Sequence, residues 1–305
     1  MSKDYNRQHI VPQAYLKRFA MCRGDNYQIG ISLKPTASRC LKLFTNSVES
    51  VAYIEKYYDT QVRKNPKYWE HYLDKNFDTL CGSPLLNIIA KITMAPDNIE
   101  VLSEQDKDVL ARIIISQAIR VPQFLDEQTD LAQERLIKYK KAILNSLPAS
   151  YGRENDLISK MTFSRDERKD MVLTASFNAE KFSRFCEVIK KKYWFIFYND
   201  IRDRMPYITS DNPVVFTTIK AKTEKMTTIG LLNDETVILY PISPSILIGI
   251  YSPLLYFGEL SKYNGHRMHI SDMKFITNVN ILITEQSCVH TFLPEPLFSI
   301  LRERI

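Results

Sequence analysis

The chain has 305 residues, with 41 Lys and Arg against 35 Asp and Glu, a formal charge of +6 and a pI near 8.9. It holds only eight glycines, where average usage of roughly 7% would give about twenty, and none has GxGxxG or GxxxxGK spacing, which excludes a Rossmann fingerprint and a P-loop. Five cysteines, Cys22, Cys40, Cys81, Cys186 and Cys288, are scattered and odd in number, which argues against a disulfide framework or zinc knuckle and fits a reducing cytoplasm.

The polar opening, Met1 to His9, lacks the apolar stretch of a secretory signal. Pro12 keeps the residue before it extended, and a short helix then places Tyr15, Leu16 and Phe19 on one face. Strands are expected near 27–33 and 39–44. From Val48 the spacing of Tyr53, Ile54, Tyr57 and Tyr58 predicts a helix, followed by helices over 68–80 and 85–92. Ser103 and Asp106 make a capping box for a helix with Val109, Leu110, Ile113, Ile114 and Ala118 on its apolar face, stopping before Pro122. A longer amphipathic helix over 127–147 repeats Leu136, Ile137, Ile143, Leu144 and Leu147, and its basic side, Arg135, Lys138, Lys140 and Lys141, reads as a solvated face. The polar stretch 154–174 reads as a boundary or a mobile insertion. Asn178 caps the next helix, with Phe182, Phe185, Cys186 and Ile189 at helical spacing and Lys190, Lys191 and Lys192 at its negative dipole end.

Beyond Tyr193 the pattern changes to short aromatic and β-branched runs at 193–198, 207–209, 214–218, 237–240 and 246–250. Residues 236–258 carry no charge, but Pro241, Pro244 and Pro253 make paired strands around a Pro-Ile-Ser-Pro turn a better reading than a spanning helix. A helix over 278–286 and a strand over 289–293 complete an α+β class: one unit over 1–305, mainly helical over 1–190, with a mostly antiparallel sheet over 191–305.

Polar residues break the apolar pattern in four places. Gln8 and His9 precede the rigid Ile10-Val11-Pro12; an imidazole there could move protons near neutral pH, or make one structural hydrogen bond. Gln117 and Arg120 project from the apolar side of the capped helix. A buried guanidinium there needs an anionic or carbonyl partner, either a substrate or an acid in the β layer. Ser210-Asp211-Asn212-Pro213 lies between two strands, where catalytic groups are often found and where Asx-turn chemistry is equally sufficient. Asn278, Asn280 and Glu285 interrupt the terminal apolar run, with helix capping as the plain alternative. His266 and His269 are three apart with no third ligand nearby in sequence.

In this order, Gln8-His9-Ile-Val-Pro12-Gln-Ala-Tyr15-Leu16-Lys-Arg18-Phe19, Gln117-x-x-Arg120-x-Pro122, Thr209-Ser-Asp211-Asn212-Pro213 and the terminal Asn-rich helix resemble the family catalogued as domain of unknown function 4238, over about 8–292. Val121 stands where that family tends to have threonine. The resemblance implies bacterial or phage origin and, for some members, stand-alone anti-phage defence; it implies no reaction. Two expectations follow. In the first, a cytoplasmic toxic effector, nuclease-like, uses His9 to move a proton, Arg120 to stabilise phosphoryl charge, and Asp211 with Asn212 to orient the histidine or hold a lone divalent ion. Gln8, Arg18, Gln117, Ser210 and Asn278 would contact substrate, and no cofactor is specified. In the second, the same residues are a buried network, and the basic faces of a sensing module, or of a phage-encoded inhibitor of host defence, meet nucleic acid or a phage protein. Neither involves a membrane.

Overall fold

The computed structural model describes residues 6–34, 42–148, 151–218, 230–231, 233–254 and 261–303; positions 39–41 of an expected strand and 255–258 of the uncharged run lie outside them. Among the described residues the β part consists of two five-stranded sheets and a two-stranded ribbon. The ribbon pairs β1 (Arg7–His9) with β5 (Tyr53–Glu55), Gln8 opposite Ile54. One sheet joins both ends of the chain: β2 (Met21–Arg23), β3 (Asn26–Leu33) and β4 (Leu43–Ser47) meet β12 (His290–Leu293) and β7 (Thr209–Ser210), with β12 between β3 and β7. The other sheet has the order β11-β6-β10-β9-β8, from β6 (Tyr193–Asn199), β8 (Val215–Thr218), β9 (Thr236–Ser243), β10 (Ile246–Tyr251) and β11 (Arg267–Ile270). All its pairings are antiparallel except β11 with β6.

The class is α+β, and the strand expected over 27–33 is β3, with β4 at Leu43–Ser47 beside it. Residues 48–58 are the clearest departure from the expected helix: a 3-10 turn at Val48–Ser50 leads into β5, and Ala52 and Lys56 take left-handed φ of 52° and 51°. Pairing with β1, extended by a bond from the Ile10 amide to the Ala52 carbonyl (2.9 Å), outweighs the local helical spacing. In the hairpin, β9 runs on through Pro241, and the turn falls at Pro244 and Ser245.

The helices follow their caps. α1 (Gln13–Leu16) is a single turn that buries Tyr15 and Leu16. α2 (Tyr68–Asn76) breaks at Phe77 into a 3-10 turn, Asp78–Cys81, and α3 (Ser83–Met94) follows. α4 (Glu104–Arg120) starts at the Ser103–Asp106 capping box, and α5 (Pro122–Ser146) begins at Pro122 because a proline at the first helical position loses no hydrogen bond. The polar stretch is helical: it forms α6 (Gly152–Lys160) and α7 (Arg165–Ser176), the latter opened by a second capping box, Ser164 with Glu167. α8 (Ala179–Lys190) is capped by Asn178, and Lys190 at its end pairs with Glu187 at 2.9 Å. α9 (Met273–Gln286) starts at Asp272, earlier than expected, and α10 (Glu295–Arg302) closes the chain. Among the described residues no helix is long and apolar enough to cross a membrane.

α4 lies at the centre. Every residue from Ile113 to Val121 is buried, so its second half packs on all sides, and Ser116, Gln117 and Arg120 are buried with it. Scarce glycine also has a packing role: a Cβ on Gly30 of β3 would lie 2.5 Å from the Phe298 ring of α10 and 2.9 Å from the Leu293 carbonyl. Gly30→Ala should therefore destabilise the protein by about 1–3 kcal/mol, read as a lower denaturation midpoint.

Candidate functional site

Arg120 ends α4 with 1% of its surface exposed, and all its polar reach is spent inside the protein. Nη1 bonds the Asp78 carboxylate, Nη2 donates to the His9 carbonyl at 2.5 Å, and Nε donates to the Tyr58 hydroxyl at 3.3 Å. The Tyr58 hydroxyl in turn donates to the Arg120 carbonyl at 3.0 Å. Burial alone would weaken the guanidinium's hold on its proton, but the Asp78 charge reverses this and the net shift is upward. Burial raises the Asp78 carboxyl, and Arg120 offsets only part of that rise. The partner acid thus comes from the 3-10 turn after α2, not from the β layer.

Gln8, fully buried in β1, clamps the bend at Tyr58 and Asp59: its Oε1 accepts from the Tyr58 amide at 2.5 Å, and its Nε2 donates to Asp59 Oδ1. Beside it, the His9 ring bonds the Glu49 carbonyl and meets the Gln13 amide nitrogen at Nε2 (3.2 Å). Because the Gln13 amide can only donate there, Nε2 is the unprotonated nitrogen. Burial, opposed by the Glu49 bond and aided by the Arg120 charge, lowers the His9 pKa to about 4. His9 is therefore neutral at physiological pH, with its ring held between Glu49 and Gln13.

A second acid shares this region. Glu70 and Asp74 stand one turn apart on α2, and Asp78 follows four residues later; with Asp59, all these charges act on Glu70. Burial pushes its carboxyl up to about 7, against the pull of Arg120 and with the help of Asp78, Asp74 and Asp59. Glu70 Oε2 is buried without a hydrogen-bond partner among the described residues. The sequence holds a signal for it, acids at 70, 74 and 78, which place successive carboxylates along one helix face.

The Thr209–Pro213 motif is tied in differently. Asp211, 2% exposed, accepts from the backbone amides of Cys288 (2.7 Å), Val289 (2.8 Å) and His290 (2.8 Å). Its carboxylate braces the entry to β12 and does not orient His9, whose ring has other partners. Asn212 Nδ2 donates to Gln123 Oε1 of α5 (2.5 Å) and to the Gln286 carbonyl (3.0 Å), and Ser210 Oγ closes a local turn with Asn212. Gln286 reaches on to β8, its Oε1 accepting from the Phe216 amide at 3.0 Å. Tyr15 links the first motif to the third through Thr209 Oγ1 (2.7 Å) and also donates to the Pro241 carbonyl (2.6 Å).

The first three motifs thus meet at the α4–α5 junction, Arg120 on one side and Gln123 on the other, through buried and part-buried bonds, and α9 joins them through Gln286. Gln117 is buried there with its Oε1 unpartnered among the described residues. Arg18 points elsewhere, into a cleft of about 270 Å³ with Phe19, Met21, Arg202, Pro244 and Pro294 in its wall. Asn278 is exposed on α9 and touches none of this; the anchoring asparagine is Asn280, which accepts from the Ile208 amide (3.2 Å) and donates to the Pro206 carbonyl (3.0 Å). His269 sits between Asp200 (2.8 Å) and Asp97 (2.9 Å), and His266 bonds the Asn264 carbonyl, so the pair does not share a ligand position. Among the described residues no group of three or more His, Cys, Asp or Glu is arranged to hold a metal.

Two outcomes test these assignments. Asp211→Ala strands three backbone amides and should cost about 3 kcal/mol or more by chemical denaturation. His9 contributes stability that is complete above pH 6.5 and lost as pH falls towards 4, since only the unfolded chain takes up the proton in that window. In melts between pH 7 and 4, His9→Asn should therefore lose less stability than the wild type, by up to about 3 kcal/mol.

Comparison with known proteins places this geometry. No curated protein and no solved structure matches the chain. A family model described as Protein of unknown function (DUF4238) matches residues 7–292, from β1 into β12, and so covers every motif that meets at the α4–α5 junction. The chain belongs to the DUF4238 family.

Proposed function

We propose that the protein is a toxic effector of bacterial anti-phage defence that hydrolyses RNA or DNA, with Glu70 as the residue that transfers protons. The observation that carries this reading is a carboxyl oxygen buried without a hydrogen-bond partner among the described residues, beside further acids, on a group whose pKa is raised to about 7. Proton exchange at neutral pH requires such a group, and burial beside like charges produces it. In this arrangement Arg120 does not face a phosphoryl group. It neutralises Asp78 and holds Glu70 back from a still higher pKa, while His9 supplies a carbonyl to Arg120. The defence setting rests on the family resemblance, and nucleic acid as target rests on the basic charge of the chain.

A second reading, a non-enzymatic sensing or binding module, is favoured by one observation. Gln8, Arg120 and Asp211 are each committed to partners within the protein.

Glu70→Gln separates the two. On the enzymatic reading it lowers nucleic-acid degradation by the purified, activated protein by about 100-fold and abolishes protection in a phage challenge. On the binding reading the wild type degrades nothing, and the variant protects as well as the wild type. The same substitution has a stability signature. An acid raised from 4.5 to about 7 loses stability as pH climbs through that interval, because only the unfolded chain releases its proton freely. Glu70→Gln should therefore melt higher than wild type at pH 8, with the difference shrinking towards pH 4.5.

A further inference from the structure

The far half of α5 and all of α6 form an arm. The last buried residue of α5 is Thr129, and α6 buries none. The two helices hold each other: Leu136, Lys140, Leu144 and Leu147 are partly covered, and Lys140 Nζ bonds the Ser159 carbonyl and, at 3.2 Å, that of Met161.

The charge on this arm is grouped. Glu134 and Glu154 bracket a run, residues 135–153, whose charged side chains are all basic: Arg135, Lys138, Lys140, Lys141 and Arg153. At 100° per residue, Arg135, Lys138, Lys141 and Asn145 run down the solvent face, opposite the covered side, with Glu134 at the near end of the same face. Arg135, Lys138, Lys141 and Arg153 have no hydrogen-bond or ion-pair partner among the described residues, whereas the neighbouring Lys160 and Arg165 are paired with Asp156, Asp126 and Asp130. Exposed apolar side chains, Ile137, Tyr139 and Ile143, flank the stripe on its two edges.

This layout selects among partners. A second copy laid face to face would set like charges against each other. A lipid interface needs its apolar residues outermost, whereas here the outermost side chains are cations. A strand of phosphates fits a row of unpaired cations, with the flanking tyrosine available to stack on a base.

We propose that the Arg135–Lys138–Lys141 stripe binds the phosphodiester backbone of a nucleic acid without reading its sequence. The proposal rests on the hydrolytic reading for the nature of the substrate, but binding is measured separately from turnover. The test uses the full chain with short labelled single-stranded RNA, single-stranded DNA and duplex DNA, alongside phosphatidylcholine vesicles containing one-third phosphatidylserine. The double variant Lys138→Glu/Lys141→Glu, at exposed positions without partners, should keep its circular dichroism spectrum and bind nucleic acid about tenfold or more weakly at low salt. It should also flatten the dependence of log K on log salt by about 1.5 or more. Lys181→Glu/Arg184→Glu on α8 makes the same charge change away from the arm and should stay within about twofold of wild type. Glu70→Gln should bind as wild type does, so retained binding without turnover supports both readings, and binding without turnover in the wild type overturns the hydrolytic one alone. The arm proposal fails if the wild type binds no nucleic acid, if both double variants weaken binding equally, or if only the vesicles are bound.

Discussion

A guanidinium at the end of a helix that is buried on every side cannot stay there uncompensated, and the Arg120–Asp78 pair answers that demand. Leaving either charge without the other would cost about 3–5 kcal/mol, a large part of the stability of an ordinary domain. The pair therefore dictates its surroundings. The 3-10 turn after α2 must present Asp78, β1 must present the His9 carbonyl, and Tyr58 must place its hydroxyl between the Arg120 side chain and backbone. Gln8 completes the arrangement by fixing the bend that carries Tyr58.

The same compensation creates the chemical opening. One cation is shared among several acids: Asp78 takes most of it by direct contact, and Glu70 is left with a weaker, longer-range share. Burial then raises the Glu70 carboxyl, with no hydrogen bond to Oε2 among the described residues to oppose it. Stability and reactivity thus come from one local imbalance, since the ion pair that secures the fold leaves a neighbouring carboxyl poised near neutrality. On the far side of the junction Asp211 faces no such imbalance, because three backbone amides satisfy it.

Much of the local structure was legible in the chain because its causes are local. The Ser103 and Asn178 caps, the helix stop before Pro122 and the aromatic and β-branched runs after Tyr193 each act within a few residues and produced the expected elements, although Pro122 also starts α5 five residues before the expected position. Residues 48–58 were not legible: their helical spacing is overridden by β1, some forty residues away, and by left-handed turns at Ala52 and Lys56. The strand over 27–33 was legible, but its place in a sheet was not, because β3 finds β12 only in the folded chain.

For the site, the sequence by itself determined which side chains break the apolar pattern: Gln8, His9, Gln117, Arg120, Ser210, Asp211 and Asn212. It determined too that Arg120 would need an anionic or carbonyl partner, since desolvation of a cation depends on no detail of topology. Only the tertiary structure decided which partner each one has, and with it each role. It gave Asp78 to Arg120, backbone amides to Asp211, solvent to Asn278 and an unpaired oxygen to Glu70. Those assignments depend on distances between elements far apart in the chain, and proton affinity follows burial and neighbouring charge, which exist only once the helices and sheets have packed.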